Sequence, residues 1–102
     1  MDDGVLKDQA LTLWMKGQKH HLRGDFNRAI ELYTKSLALY PTAEAYTFRG
    51  WAYSFQGRLD EAIDECKKAM LRAIQEFEAA LEIHAGEPTC LSALGQLRGA
   101  LN

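Results

Sequence analysis

Three histidines and two cysteines carry the strongest claim to metal or nucleophilic chemistry in this sequence. His20 and His21 are adjacent, so on a helix their rings point roughly 100° apart and cannot share one ion. His84 stands far along the chain from both. Cys66 and Cys90 fall inside helical patterns, where a reduced thiol acts as a small hydrophobe. Cys66 is therefore expected in the core, and Cys90 on the apolar face of a last helix. No spacing fits zinc or copper, so neither a metal nor another cofactor is expected. The carboxylates Asp60, Glu61, Asp64 and Glu65 are followed by Lys67, Lys68 and Arg72. That reads as a solvated helix face with ordinary surface pairing, not as paired acids in a pocket. The glycines are spaced by helix ends instead of gathering in a phosphate-cradling loop. Nothing here composes a catalytic site, and the reading is of a non-enzymatic protein.

The elements that carry these residues must be helices. Only Pro41 and Pro88 interrupt 102 residues, which is too few breakers for a turn-rich β protein. Hydrophobic residues make up 47% of the chain, enough for a packed core. The formal net charge of −2, with both signs interleaved, gives no electrostatic reason to expect nucleic acid or an anionic membrane as partner. No stretch approaches the ~20 apolar residues of a membrane span. Met1 to Asp8 carry three aspartates and no apolar run, unlike a secretory leader, so a cytoplasmic location is expected.

The chain repeats itself at an offset of 33 residues. Gly17 lies over Gly50, Gly24 over Gly57, Phe26 over Leu59, Ala29 over Ala62 and Ile30 over Ile63. Beyond them Tyr33 meets Cys66, and Ser36 meets Ala69. Gly17 and Gly50 fall mid-helix, where glycine costs about 1 kcal/mol relative to alanine, a cost tolerated where another backbone approaches closely. Gly24 and Gly57 fall at tight turns between helices. Asp25 and Asp60 follow, near helix starts, where an acidic side chain can cap exposed amides.

The stretch from Gly17 through Gly24, Asp25, Phe26, Ala29, Ile30, Tyr33 and Ser36 to Pro41 resembles a tetratricopeptide repeat. So does Gly50 through Tyr53, Gly57, Leu59, Ala62 and Ile63. The resemblance covers residues 10 to 71. Leu13 and Tyr46 stand where the family favours Trp, and His20 stands where it favours Tyr. It implies an all-α solenoid of antiparallel helix pairs, with repeat 1 over about 10–42 and repeat 2 over about 43–71.

After Ala69 the pattern changes. Met70, Ala73, Ile74, Phe77, Ala80 and Leu81 repeat the second-helix pattern of Leu59, Ala62, Ile63, Cys66, Ala69 and Met70 after only 11 residues. A full repeat would need about 34. Eleven residues make three helical turns, so the apolar face does not rotate away. The spacing predicts one continuous helix over 59–84, roughly 39 Å long. Residues 72–87 then form a partial third repeat, and a helix over 88–101 opens at Pro88. That last segment resembles the cap helix that closes such arrays. Helices are thus expected near 5–22, 25–39, 43–56, 59–84 and 88–101.

The resemblance implies a protein or peptide partner on the concave face made by the first helix of each repeat. Position by position this gives Leu11, Trp14, Gln18, His21 and Leu22, then Glu44, Thr47, Trp51, Ser54 and Phe55. Trp14, Gln18, His21, Thr47, Trp51 and Phe55 are the candidate peptide-binding residues, with the tryptophans as anchors. The family's carboxylate-clamp positions hold Trp14, Gln18 and Phe48 and lack basic partners, so an apolar peptide or helix suits this surface better. A second reading is structural. Met70, Ile74, Phe77 and Leu81, with Leu94 and Leu97, form a stripe whose partner helix is missing, and a homodimer through it would cover them.

Overall fold

The computed structural model describes residues 2–83 together with Gln96, Arg98 and Gly99. Four helices follow in order: α1 (Asp3–Leu22), α2 (Phe26–Leu39), α3 (Ala43–Phe55) and α4 (Leu59–Ile83). Each of the first three starts on a side chain that accepts a hydrogen bond from an otherwise free amide. Asp2 accepts from the Gly4 amide at 3.2 Å, Asp25 from Arg28 at 3.3 Å, and Thr42 from Ala45 at 3.2 Å. Asp60 is the second residue of α4 and adds negative charge to its first turn, where the helix dipole favours it.

The turns that close the two helical hairpins are the same structure twice. Gly24 has φ of 80° and Gly57 has 76°, the left-handed region that side chains resist. The amides of Gly24 and Asp25 donate to the carbonyls of His21 and His20 at 3.0 and 2.9 Å. Thirty-three residues on, Gly57 and Arg58 donate to Ser54 and Tyr53, both at 3.0 Å. The sequence repeat is thus a repeat of hydrogen bonds.

The hairpins α1–α2 and α3–α4 stack through α2 and α3. Ala29, Tyr33 and Ala52 form the buried centre, with Trp14, Phe26, Ile30 and Phe48 packed around them. Gly17 makes room for a ring here: a β-carbon there would lie 2.5 Å from Cε1 of Tyr33. At Gly50 the neighbours are the Glu65 β-carbon, 2.9 Å from such an added atom, and the Ala62 carbonyl oxygen at 3.3 Å. Ser36 is buried and donates its hydroxyl to the Ala10 carbonyl at 2.7 Å.

Two expectations for α4 are exchanged. Glu65, expected on the solvated side, is 4% exposed. Its carboxylate receives Nε and Nη2 of Arg49 at 2.8 and 2.9 Å, and Lys68 stands 3.3 Å away. Arg49 also donates to Thr34 at 3.1 Å, so α2, α3 and α4 meet at one charged pair. Cys66, expected in the core, is exposed. Tyr33, its counterpart on α2, is covered by α3, whereas the described residues put no further helix over Cys66.

The long fourth helix is continuous over 25 residues, about 37 Å. The cap helix expected over 88–101, and with it Cys90, lies outside the described residues apart from three positions. Of these, Arg98 pairs its guanidinium with the Glu78 carboxylate.

Candidate functional site: an aromatic groove

The first helix of each hairpin contributes one wall of a groove. Met15, Gln18, Lys19, His21 and Leu22 come from α1, and Phe48, Trp51 and Phe55 from α3. Phe26, the first residue of α2, closes one end, and the space enclosed is about 450 Å³. Phe48, Trp51 and Phe55 recur at spacings of three and four, so they share one face of α3.

The rings interlock. Phe26 and Phe55 stack with centroids 5.0 Å apart and planes 3° from parallel. Phe55 continues to Trp51 at 6.0 Å, and Trp51 to Phe48 at 5.7 Å. His21 sits among them, with its ring centroid 5.3 Å from Phe26, 5.4 Å from Trp51 and 5.9 Å from Phe55. Such edge and offset contacts hold aromatic side chains in defined positions without a hydrogen-bond network.

The surroundings of His21 favour its neutral form. Burial among the rings lowers its pKa below the ordinary imidazole value. The Tyr33 hydroxyl lies 3.3 Å from Nδ1, and burial pushes the pKa of that phenol up to about 12. A phenol held protonated can donate to Nδ1 or accept from it, so the contact serves either neutral tautomer of the imidazole. Nε2 and the indole Nε1 of Trp14 are both buried without a partner among the described residues.

The expected binding residues divide among three hollows. Gln18, His21, Trp51 and Phe55 line the aromatic groove together, with Leu22 beside them. Trp14 turns its ring edge to Phe48 at 5.5 Å and lines a smaller hollow of about 310 Å³ with Leu11 and Glu44. Thr47 and Ser54 face the other way, into an open groove between α3 and α4. Trp51 belongs to both grooves and is 52% exposed; Phe55 is 57% exposed. Met15, Phe26 and Phe48 were absent from the expected set. The regular spacing of Phe48, Trp51 and Phe55 was the signal that could have found the α3 wall.

The expected self-association stripe is largely covered within one chain. Ile74 is 8% exposed, and Met70, Phe77 and Leu81 are partly buried. Leu94 and Leu97 lie outside the described residues. Among the described residues, the large exposed apolar side chains of α4 are Leu59, Ile63 and Leu71. Among the described residues no helix is long and apolar enough to cross a membrane.

Stacked antiparallel helical hairpins with duplicated turns define a helical-repeat protein. Family models described as the tetratricopeptide repeat match residues 10–43 and 43–72, together more than half of the chain. The chain belongs to the tetratricopeptide-repeat family, whose repeats generally mediate protein–protein interaction. It is similar to sperm-associated antigen 1 of Rattus norvegicus and of Mus musculus, 38% identical to each over 55 residues. That stretch is 54% of this chain and spans 6% of the length of either relative.

Proposed function

We propose that the groove between α1 and α3 binds an apolar peptide or helix of a partner protein. The observation that carries this reading is the half-exposed pair Trp51 and Phe55, held in place by Phe26 and His21. Large rigid aromatics that stay partly solvated have much area to bury and little entropy left to lose. Among the described residues Lys19 is the one fixed charge on the wall, so these residues offer no multi-point clamp for a terminal carboxylate. Binding, not catalysis, is the role this lining supports.

The test is selection from a displayed library of random twelve-residue peptides, followed by titration of the winners with free and amidated C-termini. Winners carrying two or more apolar anchors are expected, with affinity unchanged by amidation. Trp51→Ala and Phe55→Ala should each weaken them by about tenfold or more. Winners indifferent to both substitutions would remove the groove from consideration.

A further inference from the structure

The stripe Phe26, Ile30, Tyr33 and Leu37 on α2 recurs 33 residues later as Leu59, Ile63, Cys66 and Met70 on α4. On α2 it is covered. Tyr33 and Leu37 are buried, and Phe26 and Ile30 pack with Tyr33 against the α3 residues Phe48 and Ala52. On α4 the same spacing is largely bare, with Leu59 62% and Ile63 54% exposed and Cys66 exposed. Together with Thr47, Trp51 and Ser54 of α3, it walls an open groove of about 980 Å³. The position equivalent to that of α3 is thus vacant beside α4 among the described residues.

We propose that a second copy of this chain fills it, by laying its own α4 antiparallel on this one about a twofold axis. The spacing of four, three and four between the stripe residues is that of a coiled-coil seam. Antiparallel pairing sets Leu59 opposite the partner's Met70 and Ile63 opposite the partner's Cys66. Symmetry repeats both contacts, giving four consecutive apolar layers over the exposed stretch.

Charge fixes the register. Asp60 and Lys67 flank the seam on one side, both are exposed, and neither has an ion-pair partner among the described residues. In the stated register each Asp60 falls opposite the partner's Lys67, twice per dimer. A slip of one heptad in one direction sets Asp60 against the partner's Asp60. A slip in the other sets Lys67 against the partner's Lys67. Like charges facing each other disfavour both slips. The opposite flank carries Ala62 and Ala69, which are already buried within the single chain, so the partner helix meets α4 along the seam and its charged side.

The test is sedimentation of the full chain across a dilution series, with circular dichroism to confirm that each variant is folded. The wild-type chain should dimerise reversibly. Ile63→Glu places a charge on a side chain already exposed in the monomer, so it should leave helicity intact and weaken dimerisation by about a hundredfold. Asp60→Lys and Lys67→Asp should each weaken it by about tenfold. The double variant Asp60→Lys/Lys67→Asp should recover to within about threefold of wild type, because the pairs are then reversed and not lost. A chain monomeric up to about 1 mM would overturn the proposal. So would a dimer that withstands Ile63→Glu, or single charge reversals that the double variant fails to rescue. Peptide binding at Phe55 is read separately, and neither result decides the other.

Discussion

The two hairpins are built to one plan and end in opposite circumstances. Both have a glycine mid-helix, a left-handed glycine at the turn, and the same apolar spacing on the second helix. In the first hairpin that spacing lies under α3; in the second it faces a groove. Tyr33 and Cys66 occupy matching positions, yet one is buried completely and the other is exposed. Burial is a property of the neighbour as much as of the residue. A repeat specifies its own hairpin and half of an interface, and the next element must supply the other half.

The sharpest way to break the comparison is to truncate both matching residues. Tyr33→Ala should cost about 3–5 kcal/mol, since it empties the space between Gly17 and Ala52 and leaves His21 without its hydrogen bond. Cys66→Ala should change stability by less than about 0.5 kcal/mol, as a surface substitution does. Urea denaturation of the two variants under dilute conditions measures both. A Cys66→Ala loss approaching that of Tyr33→Ala would mean the second hairpin is covered after all.

A smaller contrast lies within α4. Glu65→Ala removes one partner of a largely buried pair and strands the Arg49 guanidinium, which is 14% exposed. The expected cost is about 3 kcal/mol. Glu61, whose guanidinium partner Arg58 shares its exposed surface, should be replaceable by alanine with little change in melting temperature. Replacing Arg49 and Glu65 together with apolar residues of similar volume should recover most of the Glu65→Ala loss. The penalty there is the stranded charge more than the missing attraction.

The helical spacing, the duplicated glycine turns and the length of α4 were legible because each depends on local chemistry. A left-handed turn requires Gly24 or Gly57 whatever surrounds it, and the run from Leu59 to Ile83 contains no breaker. Cys66 was misplaced because the 33-residue offset matches it to buried Tyr33 while no further helix among the described residues covers it. Glu65 was misplaced because its charge outweighed a position that the offset matches to buried Leu32. The burial of Glu65 depends on Arg49, sixteen residues away on another helix, and no periodicity announces that pairing. The groove was half legible for a related reason. Trp51 and Phe55 follow from their positions on the first helix of a repeat. Phe26 enters only because the turn at Gly24 brings the start of α2 against the end of α3.

The two turns provide a case where the hairpins should behave alike. Gly24→Ala and Gly57→Ala each force a β-carbon into positive φ, with nothing within 4 Å to clash or to compensate. Each should lower stability by roughly 1–2 kcal/mol, and by similar amounts, in a calorimetric melt. Unequal losses would show that the turns differ in something beyond their matched hydrogen bonds.

The least effect, and the one confined to the first hairpin, is the pH response of His21. Its counterpart in the second hairpin is Ser54, which does not titrate. Burial lowers the His21 pKa in the folded chain, so the unfolded chain binds the proton more readily. The stability this contributes is complete above the ordinary histidine value near ~6.5. It is lost as the pH falls through the lowered value, because folding must then hold out against protonation. Denaturation midpoints should therefore decline between about pH 7.5 and 5 in the wild type and decline less in His21→Phe. His21→Phe keeps an aromatic ring among Phe26, Trp51 and Phe55, so lost packing does not imitate the result. Parallel curves for the two proteins would mean that other groups carry the acid sensitivity and that the aromatic groove tolerates a charged imidazole.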